Sequence, residues 1–240
     1  MGTIYLTTLF YLIGGTLCTV VSLFMFGSYF KTKHIANLSL AFVFFWIGLH
    51  AYAFALPTVI DPDNLKLLAF GYIIGIGMIF LTLLSGIEVM AFMARRIVPN
   101  WSIVLASIVL TIDAIVTLGI MTLDLRYPII NSVGIIFWNV NPVAQWLIGL
   151  SSFFYGFLWG YVFYKAALLV SDGFSRVKLL VMSTDGFIIG TVALLVHTSS
   201  NEIQTVLGHT LFIVAGVITL GIYLLPHRMF EIRRDANDTN

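Results

Sequence analysis

Residues Leu67 to Arg96 read LLAFGYIIGIGMIFLTLLSGIEVMAFMARR. From Leu67 through Ala94 the stretch holds one acidic or basic side chain, Glu88, and it stops at the pair Arg95-Arg96. A membrane-spanning helix needs roughly 20 apolar residues, and this run exceeds that, whereas a core helix of a soluble domain is usually about half as long. The stretch is therefore read as a transmembrane helix. Its paired arginines mark a cytoplasmic end, because basic loops are retained on that side during insertion. Glu88 precedes Arg95 by seven residues, which places it roughly 10 Å inside the hydrocarbon from that face. Gly71 and Gly75 share one face of the same helix, where a second helix can approach closely.

The rest of the chain agrees with a membrane setting. Its 240 residues are 60% hydrophobic and only 10% charged, and the mean hydropathy is +1.01. Soluble domains carry about 25% charged residues, so a polytopic membrane protein is expected. A net charge of +1 gives no reason to expect a nucleic-acid partner. Cys18 is the single cysteine, falls inside an apolar run and is expected to be a small buried residue without a disulfide. The N-terminus has no basic n-region, and its apolar run is too long for a cleavable leader, so it is read as a retained signal anchor.

Seven apolar runs follow one another: Ile4 to Phe30, Ala36 to Leu56, Leu67 to Ala94, Trp101 to Leu123, Pro142 to Leu169, Lys178 to Thr198 and Ile203 to Leu225. Pro57 is expected to end the second run, Ser171-Asp172-Gly173 to turn the chain before the sixth, and Pro226 to stop the seventh. A short polar cytoplasmic tail, 226–240, completes the chain. Between the fourth and fifth runs lies the apolar segment IINSVGIIFW, residues 129–138, too short to cross and expected to fold back on the outer rim as a hairpin or interfacial segment. Charge placement gives an independent orientation. With the N-terminus outside, ten of the 12 basic residues fall inside, and only Lys66 and Arg126 fall outside. The expected fold is an all-α, multi-pass, seven-transmembrane-helix bundle in the cell membrane, N-terminus outside and C-terminus cytoplasmic.

Ionisable side chains within the runs are the candidate functional groups, because a charge at the bilayer centre costs at least about 2.5 kcal/mol unless it faces protein or water. Glu88 and Asp185 each lie seven residues from a basic residue, Arg95 and Lys178, and are expected at matching depth; Asp113 falls near mid-membrane. These three acids are read either as protonated or hydrogen-bonded packing residues or as an inner polar cluster for proton or cation coupling. Thr82, Ser85, Ser183 and Thr184 are placed to bond them. A second polar layer toward the outside comprises His50, Tyr52, Asn141, Gln145, His197 and His209, with Trp46, Phe54, Trp138, Trp146 and Tyr155 nearby. Small-molecule sites are usually lined by such a mixture, so His50, Tyr52, Gln145 and His209 are the expected ligand-binding residues; the alternative is an interfacial aromatic belt with satisfied histidines. No HxxH, HExxH, CxxC or CxxCH occurs. No cofactor or metal is expected, and a haem or metal site would have to use His50 with His209. The glycine pairs Gly71/Gly75, Gly156/Gly160 and Gly186/Gly190 are expected to pack helices closely within the bundle, or along a seam between copies in a homo-oligomer.

Microbial rhodopsins share the helix count, yet they attach retinal to a lysine midway along the last helix, and Ile203 to Leu225 contains no lysine. The short loops, the Phe44-Phe45-Trp46 region, the long fifth run and the small residues of the sixth and seventh runs resemble the seven-helix sensor modules of some prokaryotic histidine kinases and cyclases. That resemblance covers Ile4 to Leu225 and implies a receptor or sensor-like module. Because the sequence stops soon after the seventh run, such a module would signal through a separate partner protein. The expected function is small-ligand binding in an outer polar and aromatic cavity, as a receptor or a small subunit of a membrane complex. The alternatives are a proton-coupled transporter or channel using the acids, and a haem or redox subunit. No reaction is identifiable, so an enzyme embedded in the membrane is left open as the less favoured reading.

Overall fold

The computed structural model describes residues 5–93, 99–198 and 201–224. Arg95-Arg96, Ser199-Ser200 and everything from Leu225 onward, including Pro226 and the basic tail, lie outside the described residues. Among the described residues seven helices form: α1 (Leu6–Thr32), α2 (Ile35–Ile60), α3 (Leu65–Met93), α4 (Asn100–Leu123), α5 (Pro142–Leu169), α6 (Gly173–Thr198) and α7 (Glu202–Leu224). All seven are long and apolar enough to cross a membrane. In hydrocarbon a helix is favoured because it pairs its backbone groups internally. The chain is a multi-pass integral membrane protein.

The helix ends differ from the sequence expectation where side chains cap them. Asn64 accepts a bond from the Leu67 amide at 3.0 Å and starts α3 before Lys66. Asp172 accepts one from the Ser175 amide at 2.7 Å. This starts α6 at Gly173, well ahead of Lys178. Pro57 does not end α2, which continues to Ile60. Proline lacks the amide that would bond the Ala53 carbonyl, and its ring settles against Gly71 of α3, where a methyl group would come within 2.6 Å of that same carbonyl oxygen.

Helices α1, α2, α3, α5, α6 and α7 pack in a closed ring in that order, and α4 packs from outside onto α3 and α5. Among the described α4 residues, only Leu110, Thr117 and Met121 are buried. Two bonds fasten α4 to α5: Tyr155 donates to the Ala106 carbonyl at 2.6 Å, and Ser151 donates to Asp113. The closest seam joins α5 to α6, where Gly156 faces Gly186 and Gly190 so tightly that a methyl on Gly156 would lie 2.6 Å from the Gly190 Cα.

Between α4 and α5 the apolar segment forms a two-stranded antiparallel hairpin, β1 (Ile129–Ile130) and β2 (Ile136–Phe137). Asn131 Oδ1 accepts from the Val133 and Ile135 amides at 3.1 and 2.8 Å and shapes the turn. Gly134 completes the turn at φ 78°, a left-handed conformation that suits glycine. The expected hairpin is present, and it packs against the helix ends. Ile136 bonds to Thr7 of α1 at 3.0 Å, and both Ile136 and Trp138 are buried.

Candidate functional site

The ring of helices surrounds a partly open cavity of about 150 Å³. Tyr11 of α1 and residues of α2, α3, α5, α6 and α7 line it, and α4 contributes none. Its walls are mainly apolar, and on α3 they run from Ile79 to Met90. An apolar cavity of about this size in a folded protein can stay dry and accept a small hydrophobic molecule.

At the hairpin end an aromatic plug roofs the cavity. Tyr72 stacks on Trp138 with ring centroids 4.5 Å apart and planes 17° from parallel. Phe54 sits 4.8 Å from Tyr72, 5.1 Å from Trp138 and 4.9 Å from Tyr11. Gly75 makes room for the Phe54 ring, which occupies the place a side chain would take. Trp138 Nε1 donates to the Tyr11 hydroxyl at 3.4 Å.

Three histidines lie beneath this plug on the cavity wall: His50, His197 and His209. His197 Nδ1 and the Tyr72 hydroxyl are hydrogen-bonded at 2.9 Å. His50 and His209 both present their rings to Tyr11, with centroids 6.0 and 4.8 Å away. Farther from the roof, Asp185 of α6 is only 4% exposed. It accepts a bond from Thr219 of α7 through Oδ2. Trp159 spans the α5–α6 seam, its Nε1 donating to the Met182 carbonyl at 3.1 Å.

The buried polar atoms without a partner mark this cavity as chemically unfinished. Among the described residues they are His50 Nδ1, Ser152 Oγ and Asp185 Oδ1. All three residues line the cavity. A buried polar group without a hydrogen bond costs about 1–3 kcal/mol, so a molecule that satisfied these three atoms would be held by more than apolar contact.

The expected site residues separate into several places. His50 and His209 do line the cavity, joined by His197 and Tyr155. Tyr52 does not; its hydroxyl bonds to Thr16 at 3.2 Å. Gln145 instead donates to the Trp138 carbonyl at 3.3 Å and braces the hairpin, and Asn141 caps α5 through the Val143 amide at 2.9 Å. Trp146 is 54% exposed. The expected common cluster of inner acids does not form. Asp185 faces the cavity, whereas Asp113 is held in the α4–α5 seam by Ser151 and Thr117. Glu88 is exposed on the outer face of α3, in line with Phe70, Ile74, Leu81 and Phe92. The hydroxyls expected to serve the acids are occupied elsewhere: Thr82, Ser183 and Thr184 donate to the Met78, Gly160 and Leu180 carbonyls.

Ser152 was not among the expected site residues. Its sequence signal is its position between Gly149 and Gly156, spacings that place all three on one face of α5. As ligands to a haem or metal, His50 of α2, His197 of α6 and His209 of α7 offer imidazoles around the cavity. Among the described residues no group of three His, Cys, Asp or Glu side chains is arranged to hold a metal ion. Compared with known proteins, the chain matches no family model, no curated protein and no solved structure.

Proposed function

We propose that this chain is a receptor or sensor-like membrane module that binds a small molecule in the cavity between its helices and passes the change to a partner protein. The observation that carries the reading is the coincidence of all three unpartnered buried polar atoms with the wall of one mainly apolar cavity. The basic residues support a cell-membrane orientation with the hairpin end outside. In that orientation the Tyr72–Trp138 plug covers the external end of the bundle.

Filling the cavity tests the reading. Protein purified in nanodiscs is expected to carry an extractable small molecule, or to bind one from a lipophile library. Ala193→Phe places a ring where Ala193 lines the wall and is expected to abolish binding while helicity is retained. Equal binding by both proteins would reject the cavity as the site.

A proton-coupled transporter is the second reading, and the observation favouring it is the Asp185 carboxyl on a cavity that extends along the bundle. Proton flux in liposomes that Asp185→Asn abolishes would favour transport over reception.

A further inference from the structure

We infer that the cavity selects an elongated lipophile with a hydrogen-bond-donating end, a protonated amine or a hydroxyl, seated at Asp185, and with an oxygen function toward His50 and Ser152. The inference rests on the cavity being a ligand site and adds the chemical class of the ligand.

Three features of the wall lead to it. The first is charge: the lining residues include Asp185 but no lysine, arginine or glutamate. An acidic head would meet a carboxyl group with no cation to offset it, whereas a donor would find a free acceptor in Asp185 Oδ1. Oδ2 is already engaged by Thr219, which fixes the carboxyl plane and leaves Oδ1 unpartnered.

The second is length. His197 and Asp185 lie on the same helix, twelve residues apart, which corresponds to roughly 18 Å of rise. Between them, the α6 residues on the wall are Gly186, Ile189, Val192, Ala193 and Val196, and none carries a polar side chain. A compact polar ligand would leave either the histidine layer or Asp185 unsatisfied. A chain with an apolar middle reaches both.

The third is the position of Ser152. Its neighbour Gly149 packs on Leu194 and Thr198, and Gly156 packs on Gly186 and Gly190. Ser152 therefore stands level with the stretch of α6 between Gly190 and Leu194, between Asp185 and His197. Its free hydroxyl can donate or accept, while His50 Nδ1 accepts, because the other ring nitrogen donates to the Gly75 carbonyl; together they suit a hydroxyl on the ligand.

The test uses the full chain in zwitterionic nanodiscs with dodecylamine, dodecanol and dodecanoic acid as probes. Binding is read as the shift in unfolding midpoint against concentration, and Ala193→Phe is the control for partition into lipid. The expected order is amine, then alcohol, with the acid weaker than the amine by about tenfold or more. Asp185→Asn offers an amide donor in place of the free acceptor and is expected to remove the preference for the amine. Dodecanoic acid binding as tightly as dodecylamine would overturn the ligand class. So would an unchanged order in Asp185→Asn. In both cases binding that Ala193→Phe removes would leave the cavity reading standing. If none of the three probes shifts the wild type more than Ala193→Phe, the ligand class is overturned, and a co-purified molecule of another class decides whether the cavity reading survives. Should Asp185→Asn fail to fold, the order of the three probes on the wild type decides alone.

Discussion

Tyr72 on α3 is held from two sides at once: its ring stacks on Trp138 of the hairpin segment at 4.5 Å, and its hydroxyl bonds His197 on α6 at 2.9 Å. A displacement of the hairpin must therefore move α3 against α6 or break one of the two contacts. Tyr72→Phe keeps the stack and removes the bond, with an expected loss of about 1 kcal/mol. Trp138→Ala removes the stack and leaves a void, with an expected loss of about 3 kcal/mol or more. Unfolding midpoints measure both. Ligand exchange is expected to accelerate strongly in Trp138→Ala and only slightly in Tyr72→Phe.

The α5–α6 seam gives a graded glycine series. Gly156→Ala drives a methyl to 2.6 Å from the Gly190 Cα, which is backbone and cannot turn aside. Gly160→Ala meets the Phe187 ring at 2.9 Å, which can rotate. Gly27→Ala meets nothing within 4 Å. Expected losses are about 1–3 kcal/mol for Gly156→Ala and less for Gly160→Ala, whereas Gly27→Ala, in a helix interior with open space around it, is expected to gain about 0.5–1 kcal/mol. Chemical unfolding in mixed micelles measures the series, and a Gly156→Ala protein as stable as wild type would contradict so close an approach of α5 to α6.

The glycine pairs were legible in the sequence for the same reason the seven helices were: close approach and hydrophobic length are written in residue type and spacing. Helix rotation was not. In water an apolar stripe identifies the buried face, but here both the lipid face and the protein face are apolar. Glu88 and Asp185, each seven residues from a basic side chain, therefore looked equivalent. Partners on other helices separate them: Thr219 of α7 meets Asp185, while Glu88 shares its face with exposed Phe70, Ile74 and Leu81. Tyr52 and Gln145 misled for a related reason, since depth alone does not say whether a side chain faces the cavity or its frame.

Asp124 supplies a pH dependence outside the membrane spans. Its Oδ2 accepts from Arg126 Nε and Asn141 Nδ2, both at 2.9 Å. The Arg126 bond first, and the Asn141 bond second, hold its carboxyl below the usual aspartate range. A lowered value in the folded state means that the bonds stabilise the ionised form. Their contribution is complete above the ordinary aspartate value of about 3.9 and is lost as the pH falls below it toward the lowered value. Proteolysis of the hairpin connection is expected to accelerate over that acid range in the wild type. Asp124→Asn should show the faster cleavage already at neutral pH, with little further change on acidification.

Glu88 and Asp185 give opposite expectations for the same kind of substitution. On the outer face of α3, within a spanning helix, Glu88 meets hydrocarbon, where an ionised acidic group is unfavourable, by at least about 2.5 kcal/mol at the bilayer centre. Glu88→Leu is expected to raise the unfolding midpoint in nanodiscs and to leave ligand binding unchanged, because Glu88 is not part of the cavity wall. Asp185→Leu removes the acceptor that Thr219 bonds and strands that hydroxyl among apolar neighbours, so it is expected to lower the midpoint and weaken binding. A lower midpoint in Glu88→Leu would mean that its carboxyl has a polar partner in the assembled membrane protein. Size-exclusion of both variants then separates the sources: loss of a higher oligomer would place that partner on a second copy of the chain, and an unchanged elution volume would place it on this one.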